Sequence, residues 1–369
     1  MILIHHGGLI LSIIMKKQLK WLRILVFLFL QPAYLFAQTS ADTSRCTNFS
    51  CCNNDLTPAG VMISHVHLKN EWMVSYRYMN MYMHDLLSGT ASENKDDVFA
   101  TYVMSPEQMS MQMHMLMGMF GITDRLTVMA MLPFQVNSMD MNMYAANHMH
   151  GGTTKASTIH TLKTNGLGDV KLQLLYTIFQ RSTFQLLANM GVSLPSGSIQ
   201  KKGASNDPMY PDTRYPYSMQ LGSGSVEVLP GITYIYQKNL LALSTSVSGI
   251  YRVNYNTIGY KLSPELNITS WIAYQWLNFI SSSLRVEGNF SGNIQGADPK
   301  QYTYMEPATN PNSYGSKKVS AYVGSTFHLK KMLNNHQIRL EYGLPFYQYA
   351  SGIQLKQKYT MNASWVYTF

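Results

Sequence analysis

The sequence predicts an all-β protein, a transmembrane antiparallel up-and-down β-barrel of about 12 strands spanning residues 72–369. Three observations predict this fold. Segment after segment alternates apolar and polar side chains, as a strand with one face toward lipid requires. Charged residues make up only 13% of the chain and the mean hydropathy is −0.10, and no apolar run long enough for a membrane-spanning helix follows residue 37. Long and short connections alternate, as in bacterial outer-membrane barrels.

Residues 1–37 predict a signal peptide for secretion. A basic group precedes the apolar core 24–30 and consists of Lys16, Lys17, Lys20 and Arg23. Ala37 offers a small residue before the expected cut, and we expect Met15 to be the true start. Removing this segment deletes four basic and no acidic residues, so the formal charge falls from +9 to +5. The basic balance therefore does not indicate nucleic acid as a partner.

Residues 38–71 contain no good strand pattern and are predicted to form a periplasmic N-terminal segment at the mouth of the barrel. The three cysteines of the chain, Cys46, Cys51 and Cys52, all lie in it. In an oxidising compartment one disulfide and one free thiol are possible, and the spacing leaves the pairing open.

The strands follow from Trp72 onward. The first, 72–83, places Trp72 and Tyr76 on one face and Arg77 on the other. A charge in lipid costs about 2–4 kcal/mol near the bilayer midplane, so the face with Arg77 is predicted to point inward. The remaining strands are predicted at about 107–121, 126–136, 169–179, 183–194, 218–236, 240–251, 260–274, 279–292, 317–327, 337–349 and 359–369. The longer connections, including 84–105, 137–166, 196–217 and 293–316, are predicted as outer loops, with both termini in the periplasm.

The same argument assigns eight charged residues to the lumen: Arg77, Asp169, Lys171, Glu227, Arg285, Glu287, Arg339 and Glu341. Both signs are present, so these side chains are expected to pair across the interior and narrow the pore. A twelve-strand barrel is intermediate between filled eight-strand barrels and wide porins. We therefore expect a partly occluded channel.

The last strand, 359–369, is expected to close the barrel. Aromatic side chains concentrate toward its end at Phe369, where a spanning strand would meet the membrane interface. This end resembles the signal that the outer-membrane assembly machinery of Gram-negative bacteria reads. We therefore expect the protein in the outer membrane of such a bacterium, with membrane lipid and the assembly machinery as partners.

Methionine is unusually frequent, with 26 residues, and occupies every second position from Met109 to Met119. If His114 and its polar neighbours face the lumen, these methionines face lipid; the first and third strands favour the opposite orientation, and the sequence leaves the choice open. Methionine is a flexible apolar filler, but its thioether also binds Cu(I). The predicted loop 137–166 offers the best soft-metal candidates, Met139, Met141, Met143, His148, Met149 and His150, and the N-terminal segment adds His65 and His67. No cofactor is required; copper or silver ions are the candidates.

No enzyme is predicted. The chain has no Gly-x-Ser-x-Gly motif, and no His-x-Ser-Asn-Gly motif typical of an outer-membrane phospholipase. An outer-membrane protease would need paired acids and a histidine at the outer rim. His84, Asp85, Asp96 and Asp97 offer such residue types, which we attribute to chance.

Several short motifs resemble one family, the outer-membrane transporters described as MetA-pathway phenol-degradation proteins. They are Pro58-Ala59-Gly60-Val61-Met62, Trp72-Met73-Val74-Ser75-Tyr76-Arg77, Gly166-Leu167-Gly168-Asp169, Leu221-Gly222-Ser223-Gly224, Leu229-Pro230-Gly231 and Glu341-Tyr342-Gly343-Leu344-Pro345. The resemblance implies a barrel with a transport role, without a defined substrate or catalytic residues. The sequence thus predicts a porin-like channel or transporter for small solutes. Two alternatives are a protein that binds or exports soft metals and a structural barrel without transport.

Overall fold

The computed structural model describes residues 55–145, 156–203, 213–329 and 335–369. Within these ranges no helix is long and apolar enough to cross a membrane. The described residues form sixteen strands: β1 (Trp72–Gly89), β2 (Ala91–Glu93), β3 (Met104–Thr123), β4 (Leu126–Ala145), β5 (Ala156–Leu167), β6 (Val170–Gln180), β7 (Phe184–Leu194), β8 (Glu227–Val228), β9 (Gly231–Lys238), β10 (Leu241–Arg252), β11 (Tyr260–Lys261), β12 (Glu265–Leu277), β13 (Ile280–Ser291), β14 (Gln295–Gly296), β15 (Ser316–His328) and β16 (His336–Thr368). One helical turn lies at Lys95–Val98, and 3₁₀ turns lie at Tyr217–Met219, Pro307–Thr309 and Pro311–Ser313.

Eleven of these strands close into an antiparallel ring, in the order β12-β13-β15-β16-β1-β3-β4-β6-β7-β9-β10, and β10 pairs back to β12. The 33-residue β16 enters the ring twice, because residues 337–350 pair with β15 and residues 350–368 pair with β1. Counting both halves of β16, the ring has twelve strand segments, the number predicted from the sequence. A closed antiparallel ring needs an even number, and closure removes the unpaired strand edges that lipid does not tolerate.

The two faces of the sheet differ in chemistry. Along β13, Leu284 and Val286 expose 60% and 47% of their surface, whereas Arg285 between them exposes 3%. Large exposed side chains follow the outer face around the ring: Trp72, Leu116, Leu132, Leu174, Met190, Tyr234, Val247, Ile272, Leu340 and Trp365. Such a continuous apolar belt is typical of a surface in contact with lipid. We call the opposite, buried side the interior face.

Several predicted boundaries are wrong. β1 continues to Gly89 instead of residue 83, and β16 runs unbroken across the predicted gap 350–358. Two further segments differ more. The segment 137–166 is not a long loop, because β4 continues to Ala145 and pairs with β5 from Phe134 onward. The predicted strand 218–236 is shorter, since only 227–228 and 231–238 pair with β7 and β10. An extension of the β4–β5 hairpin beyond the lipid needs no apolar outer face. Polar outward residues there give a sequence pattern like that of a loop.

The N-terminal segment 55–71 enters the barrel from the end where the short turns lie, which we call the turn end. Asp55 accepts a hydrogen bond from Arg339 Nη2 at 2.6 Å, close to the turn before β16. Arg77 Nη2 donates to the Val61 carbonyl at 2.6 Å, deeper in the barrel. The segment then returns to the turn end, where Asn70 N donates to the Gly121 carbonyl at 2.8 Å. Residues 55–71 therefore form a loop inserted into the barrel.

The opposite end, where the long connections lie, is the loop end. Three connections pack together there, and Arg214 donates to both carboxylate oxygens of Asp298 at 2.7 and 2.8 Å. Tyr217 lies edge-on to Tyr260 at 4.8 Å between ring centroids, and the β11–β14 pair adds a second small sheet. Met305, from the connection before β15, packs against methionines of the barrel wall. The loops therefore fold inward at this end.

Candidate functional site

A cavity of about 370 Å³ lies inside the barrel, between the inserted N-terminal segment and the loop end. We call it the chamber. Its lining comes from seven elements: Gly60 and Met62 of the N-terminal segment, Arg77, Met79 and Met81 of β1, Met113 and Met115 of β3, Glu265 and Asn267 of β12, Arg285, Glu287, Asn289, Phe290 and Ser291 of β13, Ser316, Lys318 and Tyr322 of β15, and Thr360 and Asn362 of β16. One wall is polar and charged, and the other consists largely of methionine.

Arg285 is the centre of the polar wall. Its Nε and Nη2 donate to the two carboxylate oxygens of Glu341 at 2.8 and 2.9 Å, and its Nη1 contacts Glu287. The guanidinium lies 3.7 Å from the ring centroid of Tyr322, and Asn362 Nδ2 donates to Glu341 at 3.1 Å. Three strands thus hold one buried charge network, because an unpaired charge in this position would be costly.

Two ion pairs and a hydrogen bond from a lysine extend the polar wall. Arg252 donates to Glu227 and to Glu265, each at 2.8 Å. Lys318 Nζ donates to Gln357 Oε1 at 2.6 Å. These charges are balanced by neighbours, so the wall is polar without a strong excess of one sign.

The methionine wall follows from strand register. Met79 lies opposite Met113, Met81 opposite Met111 and Met83 opposite Met109 on β1 and β3. Leu116 exposes 52% of its surface, whereas its neighbours Met115 and Met117 are buried. The methionines of β3 therefore belong to the interior face, which resolves the orientation that the sequence left open. His114 points outward and hydrogen-bonds the Tyr76 hydroxyl at 2.7 Å.

The N-terminal segment brings titratable groups to the turn end. Burial opposes ionisation of Asp55, but the adjacent Arg339 and His65 hold the pKa of its carboxyl well below the usual range. Burial lowers the pKa of His65 to about 4, against the attraction of Asp55. Near neutral pH the segment therefore carries a carboxylate paired with Arg339 beside a neutral imidazole.

The structure places the eight charged residues predicted for the lumen in three settings. Arg77, Arg285, Glu287 and Glu341 surround or adjoin the chamber. Glu227 and Arg339 are buried and pair with Arg252 and Asp55.

The other two of the eight predicted residues, Asp169 and Lys171, do not line the chamber. Asp169 accepts hydrogen bonds from Gly197 N and Ser223 N at 2.8 and 2.7 Å and so holds two connections to the barrel. Lys171 is half-buried on β6. Sequence reasoning missed Arg252, Glu265 and Lys318, although Glu265 alternates with Leu266 in the pattern that identified the other inward charges.

The predicted metal candidates are not brought together in one loop. Met139, Met141 and Met143 lie on strand β4, where Met139 and Met141 are fully buried, so the prediction that they belong to a loop is wrong. His148, Met149 and His150 lie outside the described residues. His65 and His67 adjoin each other with ring centroids 4.7 Å apart. Within the described ranges, no three His, Cys, Asp or Glu side chains form a metal site.

The acidic group near His84 has a different arrangement. His84 Nδ1 lies 2.7 Å from Asp85 at the loop end of β1, and the Asp85 carboxylate also contacts Lys358. Asp97 lies on the exposed helical turn after β2. The Asp85 carboxylate is thus paired with Lys358 and adjoins the His84 imidazole.

Comparison with solved structures identifies the fold. An outer membrane channel from Pseudomonas putida F1 superposes with a TM-score of 0.54 at 12% identity, covering 85% of this chain and all of that one. A Pseudomonas aeruginosa FadL homologue covers 81% of this chain and 90% of its own, with 10% identity and a TM-score of 0.39. The NanC porin covers 78% and 98%, with 8% identity and a TM-score of 0.39. No protein-family model and no curated protein matches the sequence.

The closed barrel, its apolar outer belt and the first of these superpositions define a class. The chain has the fold of a Gram-negative outer-membrane β-barrel protein, closed by its C-terminal strand. Trp72 and Phe369 exchange two backbone hydrogen bonds of 2.8 and 2.9 Å at that closure.

Proposed function

We propose that this protein is an outer-membrane channel for small solutes, with the chamber as its solute site. The observation that carries the proposal is a cavity inside a closed barrel, lined by a polar wall and a methionine wall. Ligand sites typically combine an apolar lining with a few fixed polar groups, and the chamber has both. A solute entering from the loop end would reach the chamber before it meets the N-terminal segment.

In this proposal the N-terminal segment restricts passage at the turn end. Asp55, Val61 and Gly60 contact Arg339, Arg77 and the Arg285–Glu341 pair. Each contact joins the segment to a different part of the barrel wall, so the segment has to shift before a solute leaves the chamber. This arrangement fits a gated channel better than an open pore.

We also propose that the chain belongs to the family of MetA-pathway transporters. Motifs that resemble the MetA-pathway transporters contact one another in the structure. Val61 accepts from Arg77, Gly60 packs against Glu341, and Asp169 accepts from Ser223. Five separate motifs thus form two connected groups, which supports a common architectural role. The structural-barrel and enzyme alternatives have no such observation in their favour.

Liposome swelling with the purified full-length protein tests the channel. We expect slow swelling in small neutral sugars for the wild type. Asp55→Lys places a cation beside Arg339, so the segment should be displaced and the swelling rate should rise several-fold. Asp97→Lys makes the same charge change on an exposed turn and should leave the rate unchanged.

The outcomes separate clearly when folding is verified by heat-modifiable mobility on unboiled gels. Faster swelling only for Asp55→Lys supports both the channel and the role of the segment. Equal rates for empty liposomes, wild type and Asp55→Lys would refute the channel.

A further inference from the structure

We propose that the methionine wall conducts soft monovalent metal ions, Cu(I) and Ag(I), through the barrel. The inference rests on the proposed channel function and names its substrate class. The wall consists of sixteen methionines on three adjacent strands: Met73, Met79, Met81 and Met83 on β1; Met104, Met109, Met111, Met113, Met115, Met117 and Met119 on β3; and Met129, Met131, Met139, Met141 and Met143 on β4.

Strand register places these thioethers in adjoining rows. Met119 lies opposite both Met73 on β1 and Met129 on β4, and Met109 lies opposite both Met83 and Met139. Directly opposed Cβ atoms are about 4.5–5.5 Å apart, and successive rows on one strand are about 6.5–7 Å apart. Flexible methionine side chains span such gaps. An ion bound by two or three sulfurs of one row can therefore transfer to the sulfurs of the neighbouring row.

Apolar packing alone does not explain this distribution. On the outer face of the same three strands, the large exposed apolar residues are Trp72, Tyr76, Leu116, Ile122, Leu132 and Phe134, without a methionine. Leucine and methionine exchange in protein cores at little cost, so a wall needed only for packing would not need methionine at most of its positions. The buried leucines of these three strands are Leu86 and Leu87, near the loop end of β1. Segregation of methionine to the interior face points to the sulfur atom as the selected property.

The wall is continuous from one end of the barrel to the other. Near the loop end, Met219 and Met305 from the connections pack against Met109, Met139 and Met141. In the middle, the methionines that line the chamber are Met62, Met79, Met81, Met113 and Met115. Near the turn end, Met73, Met117, Met119, Met129 and Met131 belong to one buried cluster, which also contains Val66, Leu175, Leu187, Ile235 and Val366.

A buried imidazole lies where the wall ends. His67 donates its backbone N–H to Thr127 Oγ1 at 2.8 Å, and Thr127 is two residues from Met129. His67 Nδ1 lies 3.1 Å from Glu71, whereas its fully buried Nε2 has no hydrogen-bond partner in the structure. A neutral imidazole nitrogen is a good copper ligand, so His67 Nε2 is a suitable last ligand after the thioethers.

The chemistry of the two walls explains selectivity. Thioethers are neutral and soft, so they bind Cu(I) or Ag(I) but compete poorly with water for Mg²⁺ or Ca²⁺. The carboxylates of the opposite wall are already occupied by Arg252 and Arg285. Hard cations therefore have few free oxygen ligands, and each soft ion is held by few sulfurs and released readily.

The experiment uses purified full-length protein and Ag(I), which needs no reductant. Isothermal titration measures Ag(I) binding to the wild type and to Met79→Leu/Met113→Leu, a directly opposed pair in the chamber. The matched control is Met190→Leu/Met361→Leu, which changes two exposed methionines of the outer face. A second variant adds Met81→Leu and Met115→Leu to the chamber pair. Proteoliposomes then report Ag(I) entry through an enclosed silver-sensitive dye, beside swelling in a neutral sugar.

We expect Ag(I) binding to the wild type and the control, no binding of Mg²⁺, and at least a tenfold loss of affinity with slower Ag(I) entry in the fourfold variant. Because Met→Leu conserves volume, all variants should fold. The outer-face control, whose residues do not line the chamber, should also swell in sugar at the wild-type rate. Resonances of ¹³C-labelled methionine methyl groups should shift with Ag(I) in the wild type, a reading independent of any variant.

Equal Ag(I) affinity in the wild type and the fourfold variant, or no Ag(I) binding, with sugar swelling intact, would overturn the metal proposal and leave the channel standing. Absence of both Ag(I) entry and sugar swelling would refute the channel itself.

Discussion

Glu341→Gln tests how strongly the charge network holds the barrel. In the wild type the side chains of Arg285 and Glu341 are 3% and 0% exposed and share two hydrogen bonds. The substitution keeps the shape but removes the negative charge and turns an N–H toward a donor. Breaking a buried pair costs about 3–5 kcal/mol. Because Glu287 still contacts Arg285, we expect the lower end, about 3 kcal/mol, or roughly a hundredfold in the unfolding equilibrium.

The assay is urea unfolding of the protein in lipid vesicles, followed by tryptophan fluorescence and gel mobility. Glu287→Gln is the matched control, because Glu287 contacts the same guanidinium but is 22% exposed. We expect this control to lose about 1 kcal/mol or less. Equal losses for the two variants, or no loss for Glu341→Gln, would show that burial of the pair does not set its contribution.

Three further predictions concern the inserted segment and the loop end. A Cβ added in Gly121→Ala would overlap the Leu68 carbonyl, so urea unfolding should show a loss of about 1–3 kcal/mol. Asp169→Asn weakens charge-assisted bonds to Gly197 and Ser223, so limited proteolysis of connection 196–226 should accelerate. Burial raises the pKa of Glu306 from 4.5 to about 8, so the folded connection holds a proton that the unfolded one releases, and its stability falls as pH rises through this range. After correction for the intrinsic pH dependence of amide exchange, the protection of 293–315 should therefore fall between about pH 5 and pH 8 in the wild type, and Glu306→Gln should abolish the fall; the same fall in both would contradict this assignment.

The sequence by itself determined the barrel. Alternation in segments such as 279–292 requires one apolar and one polar face, and a strand has only two faces. The alternation therefore predicts, without knowledge of any contact, that Arg285, Glu287 and Glu341 point inward. Low charge and the absence of a long apolar run excluded helical spans, which left strands as the means of crossing lipid.

The tertiary structure alone decided which inward residues meet. Arg285 and Glu341 are 56 residues apart, and only strand register and closure bring them to hydrogen-bonding distance. The insertion of Asp55–His67 into the barrel depends on contacts with Arg339, Arg77 and Thr127, which no local pattern encodes. The facing of Met109–Met119 was equally undetermined, because one face of that strand is entirely methionine and the opposite face mixes polar and apolar residues. Pairing with Arg77 on β1 fixed it, since one residue of register shift reverses every side chain of a strand.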